Sequence, residues 1–353
     1  MSAPRALRYR GIDYDTGTSY VPHTDSRPDW SSSLMQRHMA VIRTELHANA
    51  VTVFGSSPAR IFETARFALD AGLEVWVQPR LPDATVTATI EQLAAVAEKV
   101  EPLRAESGRL RLNVGCELTI FTTGLIPGRS YLDRARRLRW LWPLLPVFNQ
   151  RLNRMLHRAA GAVRQRFAGE ITYGAGSWET VDWEPFDAVG LNHYRDHSNH
   201  HRYTAVLDEA RRHGKPVLVT EFGCCSYPGA DARGAEGDAI VDWDRPDGAV
   251  IDGHHPRDET VQARYIGDLL DTFASTGVDG AFVFEYSEPH YLRRHDPRRD
   301  LDIASFGIVA VERTDTPAGA GYTETPKTAF QEVARRYRDA QLADHDPAPP
   351  DLN

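Results

Sequence analysis

The stretch PVLVTEFG, residues 216–223, combines a buried strand with a carboxylate at its end. Its apolar residues 217–219 and the β-branched Thr220 are typical of a strand that stops at Glu221, just before the turn residue Gly223. A carboxylate at this place is costly to bury unless the protein uses it. In a (β/α)₈ barrel the position opens into the active-site mouth, so Glu221 is a candidate catalytic residue. The alternative is a salt bridge to a neighbouring strand end.

Seven further apolar segments resemble this strand, and most are followed by a helical pattern. Repeated strand–helix alternation indicates a parallel sheet with right-handed crossovers, and eight such units close naturally into a barrel. We therefore predict an α/β protein with a single-domain (β/α)₈ TIM barrel over residues 8–340 and a disordered tail over 341–353. The competing open sheet would bind a nucleotide, but no glycine-rich phosphate loop opens the first helix. The eight predicted strands are 9–15, 50–56, 73–81, 110–121, 170–176, 187–196, 216–223 and 280–289.

Two connections are longer than a crossover needs. Residues 122–168, after the fourth strand, are predicted to form an extended helical insertion that includes the apolar run WLWPLLPVF (140–148). This insertion is either a lid or partner surface, or a helix pair that packs its own core. Its basic run, Arg134 to Arg139, is most often a solvated helix face. Residues 224–257, after the seventh strand, form a long loop, which inside a compact domain is usually functional.

Composition narrows the range of partners. The chain has 353 residues and a net charge of −8, which argues against a nucleic-acid partner. No apolar run approaches the roughly 20 residues that span a bilayer, and the N-terminus lacks the apolar core of a signal peptide. We therefore expect no membrane partner. Three cysteines suggest no disulfide framework and favour a cytoplasmic location. The sequence does not indicate the oligomeric state.

Polar residues recur where the predicted strands end. Carboxyl ends of barrel strands line one mouth, so these side chains should converge there. Two carboxylates across one mouth suit glycosidic bond cleavage, in which one donates a proton and the other attacks or stabilises the anomeric carbon. Their separation determines whether the anomeric configuration is retained or inverted. The polar residues at the mouth are Asp13, Asp15, Gln78, Glu117, Asn192, Tyr194, Glu221 and Glu285 or Glu288.

Three of these motifs resemble the clan A glycoside hydrolases. Glu117 in NVGCE matches the proton donor after the fourth strand, and Glu221 in VTEFG matches the nucleophile after the seventh. Tyr194 in DAVGLNHY matches the tyrosine that hydrogen-bonds the nucleophile. The segments FGIVAVERT and TPKTAFQEVARRY also look like the carboxyl ends of such enzymes. The resemblance implies a retaining enzyme of carbohydrate metabolism that cleaves a β-glycoside by double displacement, without a cofactor.

Two positions depart from the clan pattern. Cys116 stands where an asparagine usually holds the sugar 2-hydroxyl, so Asn113 or Asn192 would have to replace that contact. Phe284 stands where a sugar-stacking tryptophan usually ends the eighth strand. The next residue, Glu285, would add a charge to the pocket. Predicted contacts to a small-molecule or oligosaccharide substrate come from Asp13, Gln78, Asn192, His193, Trp178, Phe284 and Glu285.

Other functions stay open at this stage. The departures also suit a non-hydrolytic acid–base enzyme, such as an isomerase or cyclase, or an inactive carbohydrate-binding barrel on the same scaffold. Histidines cluster after the sixth strand and two cysteines follow the seventh, but neither group has a dependable metal-ligand spacing, so no metal site is predicted.

Overall fold

The computed structural model describes residues 7–20, 25–316 and 319–345. Within these ranges the chain forms twelve strands and nine α-helices. The strands are β1 (Tyr9–Asp15), β2 (Ala50–Gly55), β3 (Glu74–Pro79), β4 (Leu110–Cys116), β5 (Ile171–Ala175), β6 (Val189–Asn192), β7 (Val217–Phe222), β8 (Val241–Asp242), β9 (Val250–Ile251), β10 (Gly280–Val283), β11 (Val309–Thr316) and β12 (Gly319–Pro326). The helices are α1 (Ser32–Thr44), α2 (Pro58–Asp70), α3 (Val86–Ser107), α4 (Leu118–Phe121), α5 (Tyr131–Leu138), α6 (Leu145–Arg164), α7 (Tyr203–Arg211), α8 (Glu259–Thr276) and α9 (Thr328–His345).

Eight of the strands close into one parallel barrel, which confirms the predicted (β/α)₈ fold. The order around the barrel is β1-β10-β7-β6-β5-β4-β3-β2, so β10 is the eighth barrel strand. The short strands β8 and β9 pair with each other, and β11 pairs with β12 as an antiparallel hairpin. Helices follow most barrel strands, but residues 176–188, between β5 and β6, contain no helix.

Several helices begin where the local sequence favours a start. Ser31, Ser57 and Thr85 cap α1, α2 and α3, and each side chain accepts a hydrogen bond from a backbone N–H in the first turn. Pro58 takes the first position of α2, where the missing N–H would have no partner within the helix. α3 ends at Gly108, whose left-handed φ of 65° suits glycine.

Some predicted boundaries are wrong. The predicted strand 110–121 stops at Cys116, because Glu117 adopts φ +46° and the chain then turns into α4. The last helix, α9, runs on to His345, past the predicted start of the tail at 341. The rest of that tail, residues 346–353, lies outside the described residues. The strand β12 was not predicted.

Apolar side chains pack in two layers. Most lie between the barrel wall and the surrounding helices. A second set fills the floor of the barrel, where alternate strand residues point inward. This floor consists of Tyr9, Ala50, Trp76, Ala188, Leu218 and Phe282. No described helix is both long enough and apolar enough to cross a bilayer.

The floor requires glycine at position 11 of β1. A Cβ atom there would overlap the ring of Phe282 from β10. Gly11→Ala should therefore lower the free energy of unfolding by about 1–3 kcal/mol, the cost of overpacking a filled core. The matched control is Gly161→Ala in α6, where a Cβ meets nothing within 4 Å and alanine should stabilise the helix by up to about 1 kcal/mol. Thermal unfolding of both variants checks this, and an unchanged midpoint for Gly11→Ala would contradict the described packing.

Candidate active site

A β-bulge in β7 turns Glu221 into the mouth of the barrel. Val219 pairs with Leu191 and Glu221 pairs with Asn192, so Thr220 is an extra residue in β7. Without it, the alternation that points Leu218 into the floor would point Glu221 outward. The next residue, Phe222, faces outward and packs edge-on against Phe273 of α8 at 4.9 Å.

Glu221 is held as an ion pair at the mouth. Arg80, directly after β3, donates from Nη2 to one carboxylate oxygen of Glu221 at 2.6 Å, and the Tyr194 hydroxyl donates to the other at 3.3 Å. Both ends of the ion pair are nearly buried, with 6% and 9% of the Arg80 and Glu221 side chains exposed. A charge-assisted pair in such surroundings holds the carboxylate in one orientation.

Arg80 is the central residue of the site, and the sequence analysis did not select it. It also donates to the Gln78 side chain at 2.6 Å and to the Tyr20 hydroxyl at 2.8 Å. Its guanidinium lies over the Phe54 ring at 4.1 Å. The sequence held one signal: Gln78 and Arg80 are two residues apart at a strand end, so they face the same side.

The chain is also irregular at the end of β4, just before Glu117. Between β4 and β5 the register shifts from Asn113–Thr172 to Cys116–Gly174, so β4 uses one residue more than its neighbour. Gly115 in this bulge has φ +131°, a conformation that favours glycine. Glu117 itself has a left-handed φ of +46°, which is uncommon for a residue with a side chain. Strain of this kind is found disproportionately at functional sites.

The carboxyl group of Glu117 is set up to hold a proton. Burial and the nearby negative charges of Glu221 and Glu179 raise the pKa of Glu117 to about 8. Its one hydrogen-bonding partner among the described side chains is Asn192, which donates from Nδ2 at 3.2 Å. Asn192 in turn accepts from Thr220 at 2.8 Å. A neutral carboxyl at pH 7 can serve as a general acid.

Glu179 is a second residue that the sequence analysis did not select. It lies after β5 and accepts hydrogen bonds from the backbone and hydroxyl of Thr119 and from the Tyr173 hydroxyl. These bonds fix the loop that carries Glu117. Trp178 belongs to the same structure, because its indole N–H donates to Thr119 at 2.8 Å and its ring packs on Gly176.

Two further predicted carboxylates are buried without a cationic partner. Asp13 is 1% exposed and Glu285 is 2% exposed, and neither forms an ion pair within the described ranges, although the Thr52 side chain hydrogen-bonds Asp13. Burial and the charge of Glu221 hold the pKa of Asp13 well above its usual range. Burial and the charge of Glu288 do the same to the pKa of Glu285.

The last two predicted contacts lie in different places. Phe284 is partly exposed beside Arg80 and stacks on Phe54, with ring centroids 6.0 Å apart. His193 is not brought to the mouth. Its ring stacks on Tyr203 of α7 at 3.9 Å and hydrogen-bonds the Tyr203 carbonyl, so it faces the helix layer. It follows inward-facing Asn192, and strand alternation turns it outward.

The site is thus a cluster around Arg80. It brings together Asp13, Gln78, Glu117, Asn192, Tyr194 and Glu221, with Phe284, Glu285 and Trp178 at its margins. Within residues 7–20, 25–316 and 319–345, no group of three or more His, Cys, Asp or Glu residues could hold a metal ion. The cluster places several carboxyl groups with different surroundings at one mouth.

The chain is similar to solved glycosidase structures. A GH113 β-mannanase from Alicyclobacillus acidocaldarius, in complex with ManMIm, has a TM-score of 0.58 and 18% identity over 96% of this chain and 100% of that one. A GH113 β-1,4-mannanase has a TM-score of 0.59 and 14% identity over 95% and 99% of the two chains. A β-glucuronidase from Parabacteroides merdae has a TM-score of 0.51 and 14% identity over 94% of this chain and 37% of that one.

These likenesses concern the fold. The chain shares the (β/α)₈ barrel fold with these enzymes, as its strand–helix alternation predicted. No protein-family model matches it, and no curated protein does either.

The buried carboxyl of Glu285 should make stability depend on pH. Its pKa is raised above the ordinary 4.5, so the folded protein keeps a proton that the unfolded chain releases as the pH rises. Stability from this group is therefore lost above about pH 4.5. Glutamine cannot ionise, so the variant does not lose this stability. The difference in Tm between Glu285→Gln and wild type should therefore increase from pH 5 to pH 8, by about 2–4 °C for each kcal/mol of stability that the wild type loses.

Thermal scans across this pH range measure the effect. The control is Glu91→Gln on α3, where the glutamate is exposed, and its Tm should follow wild type at every pH. If the difference for Glu285→Gln stays constant with pH, Glu285 is not a buried, unpaired carboxyl.

Proposed function

We propose that this chain is a retaining glycosidase that cleaves a β-glycoside by double displacement. Glu221 is the nucleophile, Glu117 is the acid and then the base, and Tyr194 orients Glu221. The observation that carries the proposal is the contrast between the two carboxyls: Glu221 is paired with Arg80, whereas burial and negative charge raise the pKa of Glu117 to about 8. Two carboxyls with opposed environments are the pattern of an acid and a nucleophile.

The first step forms a bond between a Glu221 oxygen and the anomeric carbon. The bond to the leaving oxygen breaks at the same time, and Glu117 gives that oxygen its proton. In the second step Glu117, now a carboxylate, takes a proton from water, whose oxygen attacks the anomeric carbon and frees Glu221. The barrel fold shared with β-mannanases supports this assignment but does not identify the sugar.

Three groups are available to hold the glycone. Asn192 donates a hydrogen bond to Glu117 and pairs in register with Glu221. Its amide is therefore the best candidate for the contact to the sugar 2-hydroxyl, which Cys116 cannot make. Phe284, which stacks on Phe54, and Trp178, which is bound to Thr119, offer aromatic faces. Apolar faces of sugars pack on such rings while their hydroxyls bind the polar groups between them.

A second candidate function keeps the barrel and drops hydrolysis. Buried Asp13 and Glu285 add two carboxyls that the double displacement does not use. Extra protonated carboxyls suit an acid–base enzyme such as an isomerase or cyclase. Hydrolysis of any glycoside at the expected residues would exclude this second candidate.

Glu221→Gln should lower kcat on a nitrophenyl β-glycoside by on the order of 10⁴, because an amide does not attack the anomeric carbon. The control is Glu236→Gln, an exposed glutamate in the loop after β7, which should keep wild-type activity. A fluorosugar inhibitor should add its mass to the peptide that contains residues 216–223, and NMR should show retention at the anomeric carbon. Full turnover by Glu221→Gln, or a label on another residue, would refute the assignment.

The alkaline limb of the pH profile should belong to Glu117. Since its pKa lies at about 8, kcat/KM should fall as the pH rises past 8 and the acid loses its proton. Glu117→Gln should remove this limb. It should also slow cleavage of glycosides with poor leaving groups far more than nitrophenyl glycosides, which need little protonation. An unchanged limb in Glu117→Gln would show that another group is the acid.

A further inference from the structure

Residues 131–147 leave an unusual set of apolar side chains on the surface. Five of the eight large apolar side chains that are exposed in the described part of the chain lie here, and the two tryptophans are 75% and 63% exposed. We call this the tryptophan surface; it consists of Leu132, Trp140, Trp142, Leu144 and Val147. Large apolar side chains that are exposed together in one short segment point to a contact surface.

The same segment has a charge opposite to that of the whole protein. Residues 122–168 contain ten arginines and one aspartate, while the chain carries −8 overall. Asp133 pairs with Arg137, and the buried Arg134 binds Asp83. Several other arginines are exposed and form no ion pair within the described residues: Arg129, Arg136, Arg139, Arg151, Arg154 and Arg158.

Helix geometry places arginines and apolar side chains side by side. Along the exposed face of α6, Leu144 and Val147 are followed by Arg151, Arg154 and Arg158 at intervals of three and four residues. Arg139 lies over the Trp140 ring at 5.1 Å. Tryptophan beside arginine is the combination found where a protein lies in the headgroup region of a bilayer.

We propose that the tryptophan surface and its arginines dock this protein on an anionic lipid bilayer. Such binding does not need a membrane-spanning segment, because a helix that lies on the membrane buries only its apolar face, between the headgroups and the acyl chains. The sequence features that argued against a membrane partner concern only membrane-spanning segments and signal peptides. Each arginine near an anionic leaflet contributes roughly 1 kcal/mol, and this attraction weakens with salt.

Two other occupants fit less well. In a symmetric dimer formed through this surface, the same unpaired arginines of both copies would face each other. Single-stranded nucleic acid would stack on the tryptophans, but it has no use for the adjoining aliphatic side chains Leu132, Leu144 and Val147. A bilayer takes up both kinds of group.

The surface adjoins the candidate active site. Tyr131, the first residue of α5, packs on Tyr20 at 5.7 Å, and the Tyr20 hydroxyl is bound by Arg80, which holds Glu221. A docked molecule would therefore place the barrel mouth at the bilayer surface. The substrate class that follows is a glycoside carried by an amphiphile, such as a lipid-linked sugar. This substrate class rests on the proposed glycosidase function, whereas the docking does not.

Sedimentation of the full chain with vesicles tests the docking. Vesicles of equal parts phosphatidylglycerol and phosphatidylcholine should bind the protein, pure phosphatidylcholine should bind it at least tenfold less, and 0.5 M salt should release it. Trp140→Ala with Trp142→Ala, and separately Arg136→Glu with Arg139→Glu, should each weaken binding at least about tenfold. The control is Trp243→Ala, an exposed tryptophan flanked by Asp242 and Asp244, which should bind as wild type does.

Several outcomes would overturn the proposal. The first two are a lack of binding to anionic vesicles, and vesicle binding that the tryptophan and arginine variants leave unchanged. The third is binding to a single-stranded oligonucleotide that is tighter than binding to the vesicles. The fourth is a dimer in ultracentrifugation that Trp140→Ala with Trp142→Ala converts to monomer. Glu221→Gln separates docking from catalysis, since it should bind vesicles fully. Vesicle binding without hydrolysis would leave the docking intact and remove only the substrate class.

Discussion

The ion pair between Arg80 and Glu221 is the interaction on which the rest of the site depends. Several carboxyls converge at the mouth, and burying them together is unfavourable without a counter-charge. The Arg80 guanidinium meets this need for Glu221, and its other N–H groups are taken by Gln78 and Tyr20. Because all its partners are fixed, the arginine holds the nucleophile candidate in one place rather than merely attracting it.

The unpaired carboxyls follow from the same distribution of charge. Arg80 forms an ion pair with Glu221 and with no other residue in the described ranges, so Glu117, Asp13 and Glu285 have raised pKa values from burial and from neighbouring negative charge. One arginine therefore gives chemically identical side chains different surroundings: Glu221 has a cationic partner, whereas Glu117, Asp13 and Glu285 have none. Such a difference in surroundings is what the proposed acid and nucleophile roles require.

The segment after β4 links the site to the surface. Its inner residues, Phe121 and Tyr131, stack with each other and with Tyr20 near the mouth, while its outer residues carry the exposed tryptophans and arginines. The sequence left a lid or partner surface and a self-packed helix pair as alternatives. In the structure, Cys116, Ile120 and Phe148 form a small core beneath the segment, and other apolar side chains of the segment stay exposed.

The sequence by itself determined the barrel and the position of Glu117 and Glu221 at strand ends, because strand–helix alternation and strand termination are local patterns. It could not select Arg80 or Glu179, whose partners lie far away in the chain, and it selected His193, which faces α7. Only the tertiary structure decided which way each side chain points. The reason is the register between neighbouring strands: one extra residue in β7 reverses the alternation and turns Glu221 into the mouth, and a pairing between distant strands cannot be read from the local sequence.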